Sequence, residues 1–449
     1  MNSLPYELLE TIVLHLGSDE LAPFATISAT FQELIERRTF RELEIRSTDI
    51  DQFVAIVTGS RRRILRLLDY FIALPTVAER QRNSLGFTKA IHDLFFALSR
   101  WDTGSSANPI KLSISVVEDN IYPRIDYRRS ILELTALDSL QSVPQIHTLC
   151  PDSGVCISDS SWINIASRLP NLQRLDVHLN HQRPGLDLDQ RRRNRHSLAA
   201  ALNNLHNTSH LVHITLFSPA IGWSRRFFRH TPNILLPDDP TNDHLSFALN
   251  RLLRRSPNLR TFDICGAISL STALFADDNT SSSSSFHRLE RISISLAACA
   301  PDGTPYFHGN ITSDPADIAD YADDGFGDSD DDGRPRPLYR WTGAAETFRT
   351  FVLSAARFVS AARMPRLRAF SLQMQFHHCK IVYAAPGVFY PACQWLGEED
   401  PLGEGNLWLP RSYVDVTGLE GDGEGDKEVE EAWGGIREGG LVHWGSHVD

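Results

Sequence analysis

Leu169-Pro170-Asn171-Leu172-Gln173-Arg174-Leu175-Asp176-Val177 is the stretch on which the fold turns. Leu175 and Val177 are two apart. That is the period of a strand, where alternate side chains face the same way. Pro170-Asn171 ahead of them is turn chemistry. The stretch therefore predicts a turn, one inward leucine (Leu172) and a short strand with two inward residues. The same phrase recurs as Ser256-Pro257-Asn258-Leu259-Arg260-Thr261-Phe262-Asp263-Ile264, as Met364-Pro365-Arg366-Leu367-Arg368-Ala369-Phe370-Ser371-Leu372, and as Leu289-Glu290-Arg291-Ile292-Ser293-Ile294. Weaker copies are Leu211-Val212-His213-Ile214-Thr215-Leu216 and Pro144-Gln145-Ile146-His147-Thr148-Leu149.

Helical periodicity precedes several copies. Residues 196–205 (Leu198, Leu202, Leu205), 243–255 (Leu245, Leu249, Leu252, Leu253) and 344–363 (Phe348, Val352, Ala355, Phe358, Val359, Ala362) place apolar residues three and four apart. A helix, a turn and a Leu-x-x-Leu-x-Val strand form a unit that cannot bury its apolar side alone and must stack on its neighbours. The repeat resembles a degenerate leucine-rich repeat, and the resemblance implies an irregular leucine-rich-repeat-like α/β solenoid. The copies lie about 26 to 78 residues apart, so insertions are expected at Arg191–Arg195, at the Ser281–Ser285 run and at the acidic residues 302–332. An ordinary α/β domain with strand–helix alternation is the alternative.

The N-terminus reads differently. Ser3 can cap a helix, Pro5 suits a first turn, and Glu7 sits near the positive end of the helix dipole. Leu8, Leu9, Ile12, Val13 and Leu16 form an apolar stripe, which Gly17 ends and Ser18-Asp19 restart. Leu21, Phe24, Ala25, Ile27, Ser28, Phe31, Leu34 and Ile35 continue in helical spacing. About forty residues build only a small core, so apolar positions left over would suit a partner helix. Leu4-Pro5-Tyr6-Glu7-Leu8-Leu9, with Ile12, Leu16, Leu21, Ile27 and Phe31, resembles an F-box. The resemblance implies that Leu4, Pro5, Leu8, Leu9, Ile12, Leu16, Leu21, Ile27 and Phe31 bind Skp1 and, through it, a cullin complex. Phe31 stands where this family often has Trp, and Ile27 where it often has Val. A plain helical hairpin buried against the rest of the chain is the alternative. With the helix Phe87–Trp101 and the segment Ala355–Pro365, residues 1 to about 380 resemble uncharacterised fungal F-box proteins.

The expected organisation is an F-box at 1–46 and a helix and strand connector with first repeats at 47–135. The repeat domain follows at 136–380, with a disordered acidic insert at about 300–338, and a mostly disordered acidic Gly-rich tail occupies 381–449. Within the connector, 39–45 and 110–116 read as strands and 85–101 as an amphipathic helix. The net charge of −12 is uneven: residues 302–332 hold ten acidic and no basic residues, and residues 396–449 hold fourteen acidic and three basic ones. The remaining body is therefore basic. No apolar run reaches the ~20 residues of a membrane span. The start lacks the basic-then-apolar pattern of a secretory signal. The six scattered cysteines point to reduced thiols in the cytoplasm or nucleus.

Catalytic and cofactor chemistry is not expected. His377-His378-Cys379 cannot all reach one ion from a strand, and Cys150 and Cys156 carry no nucleophile signature. Gly325-x-Gly327 lacks the following helix of a phosphate loop, and Asp328–Asp332 lacks calcium-loop spacing. Arg61–Arg63, Arg191–Arg193 and Arg225-Arg226, the last beside Trp223, Phe227 and Phe228, could meet nucleic acid. Solvated loop arginines are the simpler reading. The expected role is a non-enzymatic substrate adaptor of a ubiquitin ligase, binding Skp1 and an unidentified target protein, with no cofactor and no metal. A Skp1-bound scaffold outside ubiquitin ligases and a nucleic-acid-associated protein are the alternatives.

Overall fold

The computed structural model describes residues 4–17, 21–74, 80–101, 108–118, 131–151, 157–180, 186–218, 233–276, 286–297, 299–309, 341–344, 346–360, 363–374, 380–384, 413–417, 431–433 and 441–445. The chain is α/β and divides into two compact units, Met1–His178 with Asn204–Leu211, and Leu179–Asn203 with Val212–Asp449.

The first unit opens with α1 (Tyr6–His15), α2 (Leu21–Ala25) and α3 (Ala29–Thr39). Pro5 occupies the cap position of α1, its carbonyl accepting the N–H groups of Leu8 and Leu9 at 3.1 and 3.2 Å. The helix ends at Leu16, whose backbone is extended. Ser3 and Ser18-Asp19 lie outside the described residues. The helical pattern of 21–35 breaks once, because Ser28 takes an extended backbone and its hydroxyl accepts from Phe31 N at 3.2 Å, starting α3. Thr39, expected to open a strand, instead ends α3. The strand β1 is Glu42–Arg46.

There follow α4 (Ile50–Ile56), α5 (Ser60–Ile64), β2 (Leu67–Leu74), α6 (Arg80–Ser99), β3 (Ile110–Glu118), β4 (Ile146–Pro151), α7 (Asp159–Ser167) and β5 (Arg174–His178). The five strands are all parallel, and their order in space is their order in the chain. Phe87, Ile91, Leu94, Phe95 and Leu98 of α6 are buried, and Tyr70 of β2 donates its hydroxyl to Ala90 O at 2.9 Å. Helix α7, with Trp162, Ile163 and Ile165 buried, was not singled out in the sequence, because its flanking serines and Asn164 weaken the apolar stripe.

The second unit contains α8 (Leu188–Asn203), β6 (His213–Ser218), α9 (His244–Arg255), β7 (Thr261–Ile268), β8 (Arg291–Leu296), β9 (Phe307–Gly309), β10 (Trp341–Ala344), α10 (Glu346–Phe358), β11 (Ala369–Met374), β12 (Lys380–Ala384), β13 (Tyr413–Thr417) and β14 (Leu441–Gly445). Strands β6, β7, β8 and β11 are parallel neighbours in chain order. Strand β12 is antiparallel to β11 and β13, and β14 is parallel to β13. Strands β9 and β10 form a separate antiparallel pair.

All six strand copies read in the sequence form parallel strands, and in the second unit they share a frame. The carbonyl one residue after each turn leucine accepts two N–H groups from the next copy. Val212 O takes Arg260 and Thr261, Arg260 O takes Glu290 and Arg291, and Glu290 O takes Arg368 and Ala369, all between 2.7 and 3.1 Å. The apolar positions of these copies within the unit are buried: Ile214 and Leu216; Leu259, Phe262 and Ile264; Leu289, Ile292 and Ile294; Leu367, Phe370 and Leu372. Gly266 has a φ of +91°, and a Cβ there would fall 1.9 Å from Ser218 O of β6, so a side chain is excluded at this position, which lies within the irregularity of the β7–β8 pairing between Ile264 and Ile268.

One expectation is corrected. Arg191–Arg195 is helical, inside α8, and not an insertion; arginine is a good helix former and Leu198 and Leu202 continue the buried face. Of the acidic insert, expected to be disordered at about 300–338, residues 300–309 are described and end in β9. Tyr306 is fully buried there and donates its hydroxyl to Leu270 O; residues 310–340 lie outside the described residues. Of the tail, expected to be mostly disordered, residues 381–384, 413–417, 431–433 and 441–445 are described: they carry β13, β14 and most of β12, and Trp433 is buried against Phe370 at 5.2 Å between ring centroids, while the rest of the tail lies outside the described residues. Its glycines and acids dominate the composition and hide short apolar alternations such as Tyr413-Val414-Asp415-Val416.

Candidate docking surface on the N-terminal helices

The nine residues assigned to partner binding separate into two sets. Leu9, Leu21 and Phe31 are buried, and with Val13, Leu34 and Ile35 they form the small core of α1 to α3, onto which Leu16, Phe24 and Ala25 pack. Phe24 and Phe31 meet at 6.5 Å between centroids. The other set faces solvent: Leu4 is 42%, Leu8 50%, Ile12 39% and Ile27 44% exposed, and Pro5 is exposed too. Leu8 and Ile12 stand one turn apart on α1, beside the face that Leu9 and Val13 bury. The sequence pattern missed Leu14, exposed at 64%, because it falls outside the stripe.

Polar contacts fix this small core. Arg38 of α3 donates to Val13 O and, at 3.0 Å, to Leu16 O, satisfying carbonyls at the end of α1. Arg37 reaches the Tyr6 hydroxyl at 3.1 Å. Glu36 of α3 pairs with Arg61 of α5 at 2.7 Å, and the Arg61 guanidinium lies 4.6 Å from the centre of the Phe40 ring. The hydrogen bond from Arg61 holds the Glu36 carboxyl below its ordinary range. Fully burying a leucine or isoleucine is worth about 1.5–3 kcal/mol. Leu8 and Ile12 forgo part of that in the isolated chain and would recover it against a partner.

The other candidates have structural roles or lie elsewhere. Arg61 and Arg62 are engaged, Arg62 through Val57 O at 3.1 Å and the Trp101 ring at 5.5 Å. Arg195 is buried and pairs with Asp243 at 2.6 Å, while Ser271 donates its N–H and hydroxyl to the other Asp243 oxygen at 3.2 and 2.9 Å. Burial pushes the Asp243 carboxyl up. The Arg195 charge and hydrogen bonds from Ser246, Arg195 and Ser271 outweigh it and leave the group below its ordinary value. Cys150 is half-buried, and burial raises its thiol pKa, so it is a poor nucleophile. The segments holding His377-His378-Cys379, Cys156, Arg225-Arg226, Gly325 and Asp328–Asp332 lie outside the described residues. Among the described residues no group of three or more His, Cys, Asp or Glu side chains could hold a metal ion, and no helix is long and apolar enough to cross a membrane. No protein-family model matches the chain, and no curated protein matches it significantly.

Proposed function

We propose that this chain is a non-catalytic substrate adaptor of a Skp1–cullin–F-box ubiquitin ligase. Its N-terminal helices would bind Skp1, and its α/β part, read as an irregular leucine-rich-repeat-like solenoid, would present a target protein. One observation carries the reading. Leu8 and Ile12 stay exposed one turn apart on a helix whose neighbouring face already supplies a core. An amphipathic helix with a second apolar strip suits docking against a partner helix or groove. The solenoid reading is supported by strand order: within each unit the parallel strands follow the chain without the reversal of doubly wound sheets.

The test is co-purification of the full chain with Skp1, beside the double variant Leu8→Asp, Ile12→Asp. Retention of wild type and loss of a folded double variant is the expected result. A folded wild type that fails to bind Skp1 would overturn the reading. Recovery of a cullin in the same complex separates a ligase adaptor from a Skp1-bound scaffold.

A further inference from the structure

The basic residues of this chain are almost all arginine. Of the 44 lysines and arginines, four are lysine: Lys89, Lys111, Lys380 and Lys427. Residues 112–379, which span all six strand copies, hold 27 arginines and no lysine. Lysine is ordinarily among the commonest residues. Base composition does not account for the loss: lysine and asparagine share codons that begin with two adenines, and asparagine occurs 18 times. Structure accounts for some of the arginines. Arg38 donates to two carbonyls at the end of α1, Arg62 joins Val57 O to the Trp101 ring, and Arg195 holds Asp243. Such contacts use the planar guanidinium fork. Others have no such reason. Arg46, Arg193, Arg251, Arg288, Arg357 and Arg366 are exposed, and among the described residues no hydrogen bond, ion pair or ring contact holds their side chains. At solvated positions lysine serves as well, being an equal helix former with a similar apolar stem.

We propose that the scarcity of lysine spares this chain from ubiquitination by the ligase it serves, an inference that rests on the adaptor reading. An adaptor sits beside a conjugating enzyme charged with ubiquitin. There a neutral lysine amine attacks the carbonyl of the thioester that joins ubiquitin to that enzyme. An isopeptide C–N bond forms, the C–S bond breaks, and the departing thiolate takes up the proton that the amine gives up. Arginine keeps the positive charge but is no acceptor, because its guanidinium stays protonated at any physiological pH. The region that the reading sets against a target, residues 136–380, therefore offers one acceptor, at its last position. The remaining lysines are few and one is restrained. The Lys89 side chain on α6 is 81% exposed but donates to Asp93 at 2.8 Å. That hydrogen bond holds its ammonium above the ordinary range and thins the neutral form that reacts. Lys111 is exposed on β3, Lys380 opens β12, and Lys427 lies outside the described residues.

The test reconstitutes the complex from the full chain, Skp1, a cullin and its RING partner, and adds ubiquitin with its activating and conjugating enzymes. The chain carries a lysine-free tag, through which its own ubiquitin ladder is followed. Wild type should be modified slowly. The variant Arg193→Lys, Arg251→Lys, Arg288→Lys, Arg357→Lys, Arg366→Lys raises the acceptors from four to nine at unchanged net charge. It should be modified at least about twofold faster, with the new linkages mapped by peptide mass to those five positions. Changing the same five positions to glutamine should leave the wild-type rate as it is. Arg251→Lys alone carries the test should the fivefold variant not fold, and ubiquitin should then be found at position 251. A wild type that recovers Skp1 and cullin yet is modified as fast as the lysine variant overturns the proposal and leaves the adaptor reading standing, as does a lack of linkage at the introduced positions. A folded wild type that binds no Skp1 ends the adaptor reading, and this proposal with it.

Discussion

The N-terminal helices and the strand copies use apolar residues in opposite ways. In the strand copies every patterned position has an interior destination: Leu259, Phe262 and Ile264 are buried, as are their counterparts in the neighbouring copies. In the helices the pattern is richer than the core it builds. Leu9, Val13, Leu21, Phe31, Leu34 and Ile35 fill that core, while Leu8, Ile12 and Ile27 are left at the surface. A parallel strand has a neighbour on each side and an apolar layer beneath, so stacking absorbs its side chains. Three short helices bury one stripe each, and a second stripe stays at the surface.

The comparison breaks most sharply in the core. Phe262→Ala should cost about 3–5 kcal/mol, the range for truncating a fully buried aromatic side chain, read as a fall in the urea midpoint. A loss below about 1 kcal/mol would mean that β7 is not interior.

The buried ion pair ranks next. Arg195→Met should cost about 3–5 kcal/mol, because it strands the Asp243 carboxylate among Ser246 and Ser271. Acid should act through the same residue. The folded-state pKa of Asp243 is depressed, so its contribution is present above the unfolded value of about 3.9 and is lost as pH falls through the lower folded one. Asp243→Asn should therefore flatten the loss of stability that the wild type shows in that acid window. An unchanged acid limb would remove this pair from the account.

Smaller effects sharpen the helical side. Ser28→Ala should cost about 1 kcal/mol by removing the cap of α3, measured by urea unfolding of the full chain. The smallest stability effect is expected from Leu8→Asp with Ile12→Asp, within about 0.5 kcal/mol of wild type, since both residues face solvent. A large loss there would place Leu8 and Ile12 inside the fold and end their use as a docking strip.

Much of the fold was legible because its signals are local. The turn leucine followed by two alternating apolar residues marks every repeat strand, and the stripes of residues 85–101, 243–255 and 344–363 mark α6, α9 and α10. Helix α7 and strands β13 and β14 escaped, because serines and glycines dilute short patterns below what a window can register. The division of the docking residues was not legible either. Leu8 and Leu9 are adjacent leucines of equal hydropathy, and the packing of α1 against α3 buries one and exposes the other.

The sequence by itself determined the local elements, the repeated strand frame and the uneven charge, since these follow from side-chain period, turn chemistry and counting. Tertiary structure alone decided which apolar residues remain at the surface. It also decided which arginines are held by carboxylates and carbonyls, and how the strands order themselves in parallel. Each depends on contacts between residues tens of positions apart, such as Arg195 with Asp243, and a linear pattern carries no record of those distances.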